Sequence, residues 1–318
     1  MANPDGLSPS ALRKQTDESK NGQHEVTLLQ GYRPPYRWEE VLDFLRFRAI
    51  PGVECIGEEE YIRTVRHLNC EGKEVCGWVK VAHVPQKNAL AVSVSEALLP
   101  VLPQVLARIR QQFDLDCEPQ AVYEALASMN EIQPGLCALG TRLPGSYDAF
   151  EMAVRAILGQ QITVKAAGTL AGRLAESFGV PLKSGVAGLT YLFPTPAELL
   201  ALEKPLEGQL GPLGIIATRS RTIDALAQGL TTGTINLASD AHPEEVVEKL
   251  QEIKGIGKWT AHYLAMRALS WPDAFLETDL GIKKALAPRT SKEMLSLAEQ
   301  WRPWRSYANI NLWYSLAH

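Results

Sequence analysis

The sequence predicts an α+β protein in which an N-terminal antiparallel sheet with helices is followed by a larger all-helical region. Three observations predict this fold. Segments rich in β-branched and aromatic residues are confined to residues 26 to about 95. A periodicity of 3.6 residues dominates from Glu96 onward. Two of the later helices are joined by KGIG, residues 254–257, which leaves room only for a tight reversal.

The chain of 318 residues is longer than one typical domain, and composition divides it into three parts. Residues 1–25 are rich in Pro, Ser, Asn and charged residues and are predicted to be a disordered leader. Residues 26–118 are predicted to form an α/β sheet domain. Residues 119–318 are predicted to form an all-helical region of two subdomains, with a helical hairpin at 244–269.

Strands are predicted first, at VTLLQ, residues 54–69, KEVCGWVKVAHVP and ALAVSVS. Between the first two, apolar residues recur with helical spacing at Trp38, Val41, Leu42, Leu45 and Ala49, and Pro51-Gly52 is expected to end that helix. Downstream, amphipathic stretches such as SYDAFEMAVRAIL and HPEEVVEKLQEI open with Ser or Pro near their starts, which is typical of helix N-termini.

Composition excludes several classes of protein. The chain is 46% hydrophobic, and no apolar run approaches the roughly 20 residues of a membrane span. Its N-terminus lacks a secretory signal, and its five cysteines are scattered without a C-x-x-C pair, which is typical of a reducing cytoplasm. No cysteine follows Cys137, so the C-terminal half cannot ligate an iron–sulfur cluster through cysteine. The net charge of −4 argues against coating nucleic acid by bulk charge, although residues 251–318 are locally basic.

The KGIG turn offers a way for an acidic protein to hold a phosphate. Gly255 and Gly257 permit a positive φ and let another backbone come close. A helix N-terminus that follows such a turn exposes backbone N–H groups and its positive dipole end, which suit a phosphate. Carbonyls on the other side of the turn could hold a monovalent cation. The alternative is a plain helical hairpin with a glycine C-cap.

Context supports the functional interpretation. Asp279, in DAFLETDLGIKKAL, lies 22 residues after Gly257, and this combination resembles the helix-hairpin-helix DNA glycosylase superfamily. The resemblance narrows to the alkylbase branch called DNA-3-methyladenine glycosylase II. It is carried, from Tyr32 to the C-terminus and in the same order, by the stretches PPYRWEEVLDFL, RLPGSYDAFEMAVRAILGQQ, GIGKWTAHYLAMR and WRPWRSYANINLWY.

The resemblance implies a cytoplasmic, monomeric enzyme that acts on duplex DNA containing alkylated bases and requires no cofactor. It also implies that the N-terminal domain resembles half of a TATA-binding protein. The site residues that it implies are Asp279 as the catalytic carboxylate; Trp259, Tyr263 and Trp313 as walls of the base pocket; and Gln161 as the side chain that fills the gap left by a flipped nucleotide. It further implies a DNA grip at Lys254, Gly255, Gly257 and Lys258, and a possible monovalent cation on the carbonyls of Gln251, Ile253 and Ile256.

Two residues depart from the family pattern. Lys254 stands where related hairpins commonly have proline, and it could add a phosphate contact. Gln161 stands where many relatives have an apolar residue, and it could hydrogen-bond to the widowed base.

Trp259 decides between two chemistries. Superfamily members that also cut the strand have a lysine here that forms a Schiff base. Lys258 is basic, but it is rotated by roughly 100° around the helix. Trp259 therefore predicts a monofunctional enzyme that uses water.

Other interpretations remain open from the sequence. The pair Trp259 and Tyr263, spaced i,i+4, could attract cationic bases or could simply pack in the core. Asp279 could be a helix N-cap, a catalytic group or both, with Glu277 as the competing carboxylate. A bifunctional glycosylase for oxidised bases and a non-catalytic lesion-binding module are the rival functions.

Overall fold

A computed structural model describes residues 25–238 and 240–316 of the chain. The predicted leader therefore lies outside the described residues, except for Glu25, which begins the first strand. Within the described ranges no helix is long and apolar enough to cross a membrane.

The N-terminal part is an antiparallel sheet, as predicted, but it has five strands because the predicted segment 54–69 forms two. Its strands are β1 (Glu25–Gly31), β2 (Glu54–Ile56), β3 (Glu60–Leu68), β4 (Glu74–Val84) and β5 (Ala89–Ser95). The strand order is β1-β5-β4-β3-β2, and every neighbouring pair is antiparallel. Alternation along β5 sends Leu90, Val92 and Val94 to one face, where they are fully buried.

Two helices, α1 (Trp38–Arg46) and α2 (Leu102–Gln112), cover that face. The predicted apolar stripe of α1 is confirmed for Trp38, Val41, Leu42 and Leu45, which pack in the core beneath the sheet. The predicted end of this helix is wrong, because α1 stops at Arg46, before Ala49 and Pro51. The Arg48 N–H bonds to the carbonyl of Leu45 at 2.9 Å, a tighter turn that ends the α-helical pattern.

The rest of the chain is mainly helical. Its helices are α3 (Pro119–Leu126), α4 (Met129–Ile132), α5 (Ala149–Leu158), α6 (Val164–Phe178), α7 (Pro196–Leu200), α8 (Leu206–Leu210), α9 (Ala217–Thr232), α10 (Pro243–Glu252), α11 (Lys258–Ala268), α12 (Leu280–Ala285), α13 (Ser291–Ala298) and α14 (Arg305–Tyr314). Short 3₁₀ turns lie at Pro85–Lys87, Glu96–Val101, Gly211–Leu213 and Glu299–Trp301. A two-stranded ribbon of β6 (Val180–Pro181) and β7 (Tyr191–Leu192) occupies the Gly/Pro-rich segment that looks like a plain connector in the sequence.

A second core fills the helical region around α5 and α11, which are buried along most of their length. This core also takes in Phe44, Ile50 and Val53, which come from the N-terminal part. A buried ion pair crosses the same seam, with Arg63 Nη2 at 2.7 Å from Glu151 Oε2. The predicted boundary between residues 118 and 119 stays a prediction; it falls directly before α3.

Candidate active site

The hairpin consists of α10, a turn over residues 253–257, and α11. Gly255 has φ +100°, and a Cβ built on it would lie 2.1 Å from the Thr222 hydroxyl oxygen, so this position needs glycine. Gly257 differs. Its φ is −87° and a Cβ there would meet nothing within 4 Å, so Gly257 does not use the positive φ that glycine permits. Gly257 serves instead as the N-cap of α11.

The start of α11 faces solvent. Lys254, Gly255, Gly257 and Lys258 are all exposed. No side chain caps the helix start, so the first N–H groups of α11 point outward without an intrahelical acceptor. An uncapped, exposed N-terminus of an 11-residue helix has the donors and the dipole that favour an anion.

Carbonyl oxygens of the same turn divide into two groups. Those of Lys254 and Gly255 accept side-chain bonds, from Thr222 Oγ1 at 2.9 Å and from Gln160 Nε2 at 2.8 Å. Among the described residues, the carbonyls of Gln251 and Ile256 accept no hydrogen bond, and that of Ile253 accepts one from the Ile256 N–H at 2.9 Å. Uncharged oxygens with free lone pairs fit a monovalent cation. The cation site stays a prediction.

The side chain of Gln160 joins the hairpin to the turn between α5 and α6. Gln160 Nε2 donates to the Gly255 carbonyl at 2.8 Å and to Thr260 Oγ1 at 3.1 Å. Its neighbour Gln161 has a φ of +57° and an exposed side chain. Gln161 thus lies beside the exposed hairpin. The role of Gln160 in holding the two segments together could not be predicted from local spacing.

Asp279 is the N-cap of α12, and three donors hold its carboxylate. Oδ1 accepts from the Ile282 backbone N–H at 3.0 Å and from Trp313 Nε1 at 2.9 Å. Oδ2 accepts from Trp259 Nε1 at 3.0 Å. The capping role expected from the sequence is present, and two of the predicted pocket residues also bond to the same carboxylate.

Gly281 leaves room for the hydrogen bond between Trp313 and the Asp279 carboxylate, and this role was not predicted from the sequence. A Cβ on Gly281 would lie 3.0 Å from Trp313 Cδ1 and 3.0 Å from Asp279 Oδ1. Any larger residue there would push on both groups. A glycine two positions after a candidate carboxylate is the signal that could have indicated it.

The aromatic side chains form a connected group. Trp259 and Tyr263 stack with ring centroids 4.9 Å apart and planes 15° apart, so their shared helix face is confirmed. The rings already touch, so a base can lie only against their outer faces. Trp313 meets Tyr263 edge-on at 6.3 Å, which brings all three predicted wall residues together.

The N-terminal part contributes two residues to this aromatic group that were not predicted from the sequence. The Phe44 ring stacks with Trp313 at 6.1 Å, and the Arg48 guanidinium lies 3.6 Å from the Phe44 ring centroid. Phe44 lies off the apolar stripe of α1, and yet it is buried. An apolar residue outside the stripe indicates that a second surface covers the helix.

Charge concentrates behind Tyr263. Its hydroxyl oxygen accepts from Arg267 Nη1 at 2.9 Å. Burial raises the pKa of this phenol, but Arg267, Arg48 and Arg155 outweigh burial and lower the pKa to about 7. The adjoining cavity, of about 40 Å³, is too small for a purine and is lined by these arginines together with Glu54 and Glu151.

Glu277, the competing carboxylate, faces elsewhere. Its Oε1 lies 2.5 Å from Lys258 Nζ. Arg302 and Arg305 both engage Asp273, in agreement with a packing role at the C-terminal helix. His262 bonds through Nδ1 to the Lys258 carbonyl at 2.8 Å.

Comparisons with known proteins give a consistent result. Two family profiles match: "AlkA N-terminal domain" over residues 27–148 and "HhH-GPD superfamily base excision DNA repair protein" over residues 154–272. The chain is 35% identical to DNA-3-methyladenine glycosylase 2 of Escherichia coli, over 89% of this chain and 95% of the relative.

Two further matches extend the comparison. A probable bifunctional transcriptional activator/DNA repair enzyme AlkA of Mycobacterium tuberculosis is 32% identical over 98% of this chain, which spans 62% of that longer protein. The solved 3-methyladenine DNA-glycosylase of Archaeoglobus fulgidus superposes with a TM-score of 0.73 at 21% identity, covering 90% of this chain and 97% of that one. This likeness confirms the predicted fold.

Proposed function

The chain belongs to the DNA-3-methyladenine glycosylase 2 family of helix-hairpin-helix base-excision enzymes, and on this premise we propose that it is a monofunctional glycosylase in which Asp279 is the catalytic carboxylate. It hydrolyses the N-glycosidic bond of alkylated bases, 3-methyladenine and 7-methylguanine among them, in duplex DNA. It acts as a monomer and requires no cofactor. The observation that carries the proposal is the carboxylate of Asp279, held by three donors beside three aromatic rings.

The hairpin grips the DNA. Exposed N–H groups at Gly255, Gly257 and the start of α11 bind a backbone phosphate, with Lys254 and Lys258 adding charge. Such contacts set the position of the duplex and carry no base information. A monovalent cation on the turn carbonyls of Gln251, Ile253 and Ile256 would add positive charge next to that phosphate.

The damaged nucleotide must leave the stack, because its glycosidic bond cannot be reached inside the duplex. Gln161 fills the gap, since its exposed side chain projects beside the hairpin from a strained turn with φ +57°. The extruded base then lies against the outer faces of Trp259 and Trp313. Their electron-rich rings favour a cationic base by about 0.5–2 kcal/mol each.

Bond breaking leaves positive charge on the sugar as the base departs. A cationic base is already a good leaving group and needs no protonation. The Asp279 carboxylate stabilises the developing oxocarbenium-like sugar electrostatically, and its three hydrogen bonds keep it in place before reaction. Water then completes hydrolysis.

The rival chemistries have less support. Strand cleavage through a Schiff base needs an amine in the pocket, but position 259 is tryptophan and the neighbouring Lys258 amine is paired with Glu277. A binding module without catalysis would not need a half-buried carboxylate fixed by two indole N–H groups.

The test uses methylated genomic DNA and, separately, a duplex with one defined lesion. Free 3-methyladenine and 7-methylguanine should appear in the soluble fraction, while the lesion-bearing strand stays intact until hot alkali cleaves it at the abasic site. Release of no base would support the binding-module alternative. Strand cleavage without alkali, trapped as a covalent adduct by borohydride, would support the bifunctional one.

A further inference from the structure

The back of the aromatic group holds an unusual concentration of positive charge. Arg267 on α11 donates to the hydroxyl of Tyr263 at 2.9 Å, and Arg155 on α5 and Arg48 after α1 line the same small cavity as Tyr263 and Arg267. Tyr263 itself is only 6% exposed and Arg267 only 5%, so neither charge is well screened by solvent. The mechanism proposed above makes no use of this cluster.

Nearby carboxylates do not neutralise it. Glu151 and Glu54 line the same cavity, but both face Arg63, at 2.7 and 3.9 Å. Within the described part of the chain, Arg48, Arg155 and Arg267 form no ion pair with a carboxylate. Two of them also keep buried N–H groups without an acceptor, at Nε and Nη2 of Arg155 and at Nε of Arg267. Such unpaired buried charge is costly unless a negative group is present.

The Tyr263 hydroxyl is the group placed to supply that negative charge. Its oxygen accepts from Arg267, and among the described residues its own proton has no acceptor. A neutral phenol would therefore leave one buried donor unsatisfied and three guanidinium groups uncompensated. A phenolate removes both problems, with the proton passing to solvent and no other bond changing.

We infer that Tyr263 is held as a phenolate by Arg48, Arg155 and Arg267, and that its negative charge makes it a specificity-determining residue that favours positively charged bases. The ring stacks on Trp259 at 4.9 Å, so the charge lies one ring behind the surface where the base is proposed to lie. With a neutral Tyr263, the same arginines would repel a cationic base. The second half of this inference rests on the proposed function; the first half does not.

Other titratable groups around the ring do not compete for this role. Tyr314 on α14 lies near Arg48 and Arg267, but burial raises its pKa. Asp279 faces the two indoles, and Glu54 and Glu151 face Arg63. Arginine stays charged throughout the accessible pH range. Burial also raises the pKa of Glu151 to about 7, but this carboxylate pairs with Arg63. Tyr263 is the tyrosine whose pKa is lowered, to about 7, so its absorbance and the variant Tyr263→Phe separate it from Glu151.

The first experiment needs no DNA. The ultraviolet absorbance band of tyrosinate is followed while the folded protein is titrated upward from mildly acidic pH. We expect one tyrosine to ionise near pH 7 in the parent protein, none in Tyr263→Phe, and one again in the matched control Tyr314→Phe. Arg48→Met keeps an apolar stem on Phe44 and should move the step to higher pH. Absence of any step below the ordinary range of about 10 in the parent protein would overturn the phenolate.

The second experiment measures excision of 3-methyladenine, which carries a fixed positive charge in DNA, against neutral hypoxanthine. The ratio of the two single-turnover rates should rise on the order of tenfold as pH increases through the step, as expected for one charge several ångströms away in a partly screened interior. In Tyr263→Phe the ratio should stay flat. A flat ratio in the parent protein would overturn the specificity role. Failure to release any base would instead contradict the proposed function and leave the absorbance result intact.

Discussion

The carboxylate of Asp279 and the turn of the hairpin are both proposed to act on DNA, but they are built in opposite ways. Asp279 is fixed by side chains from α11 and α14 and by the backbone of α12, which lie far apart in sequence. The donors of the turn are its own consecutive backbone N–H groups, shaped by one glycine with a positive φ, while Thr222 and Gln160 bond only to its carbonyls. The carboxylate is partly buried and the turn is exposed. Catalytic power should therefore depend on distant side chains, and grip on local backbone.

Replacing the carboxylate should have the largest effect. Asp279→Asn keeps a good N-cap for α12 but removes the negative charge that is proposed to face the sugar. We expect excision to fall on the order of 10²–10³-fold with undiminished binding to lesion-containing duplex, and a melting temperature lowered by only a few degrees, because one indole N–H loses its acceptor. Single-turnover rates and a melting curve measure this. Glu277→Gln is the matched control, and a larger loss there than at Asp279 would transfer the catalytic role to Glu277.

Removing one indole donor should have a smaller effect. Trp313→Phe keeps an aromatic face but deletes the N–H that bonds to Asp279 Oδ1. A hydrogen bond to a charged group is worth about 1.5–3 kcal/mol, so the rate should fall roughly 10- to 100-fold. Because the lost N–H acts on the carboxylate, excision of both 3-methyladenine and hypoxanthine should slow, and that of 3-methyladenine slightly more, since a phenyl ring attracts a cation less than an indole does. Trp259→Phe should behave alike, and a loss confined to cationic bases would show that these indoles act only as pocket walls.

Alanine substitutions at the two glycines of the turn should have different effects on the stability of the protein. Gly255→Ala places a Cβ at φ +100° and against the Thr222 hydroxyl, which should cost about 1–3 kcal/mol of unfolding free energy. Gly257→Ala has free space and an ordinary φ, so its stability should stay within about 0.5 kcal/mol of the parent. Chemical denaturation curves of both variants decide this, and equal losses would contradict the difference between the two positions.

Blocking the proposed phosphate contact at the start of α11 should have the smallest effect. Gly257→Val puts a branched side chain in front of the exposed N–H groups of α11 without filling any occupied space. We expect affinity to drop several-fold, on the order of 1 kcal/mol, for damaged and undamaged duplex alike. Fluorescence anisotropy at fixed salt measures both. Parent-like affinity in the folded variant would leave the hairpin as a purely structural element.

Local patterns predicted much of this molecule. The helix–turn–helix around Gly255, the stripe on α1 and the cap at Asp279 follow from spacing within a few residues. A G-x-G pattern does not say which glycine takes a positive φ; Gly255 does and Gly257 does not.

The features that could not be predicted from the sequence depend on tertiary contacts. Phe44, Arg48, Gln160 and Gly281 gain their roles from partners on other segments, and no local spacing encodes those partners. The same holds for the three arginines behind Tyr263. The roles of Asp279 and the pocket residues were carried by the family resemblance; the structure adds the hydrogen bonds that join them.

The hydrogen bonds of Gln160 have a consequence for which DNA duplexes the protein is expected to process. Its amide bonds to Gly255 and Thr260, so the tip at Gln161 and the turn proposed to bind a phosphate keep a fixed separation. On the proposed function, this separation favours duplexes in which the gap filled by Gln161 and the bound phosphate are the right number of nucleotides apart. A looped-out extra nucleotide beside the lesion would break the match, even with every chemical group of the damaged base intact. Gln160→Ala should relax this requirement for a fixed separation. Duplexes with a looped-out nucleotide should then become better substrates relative to duplexes without one.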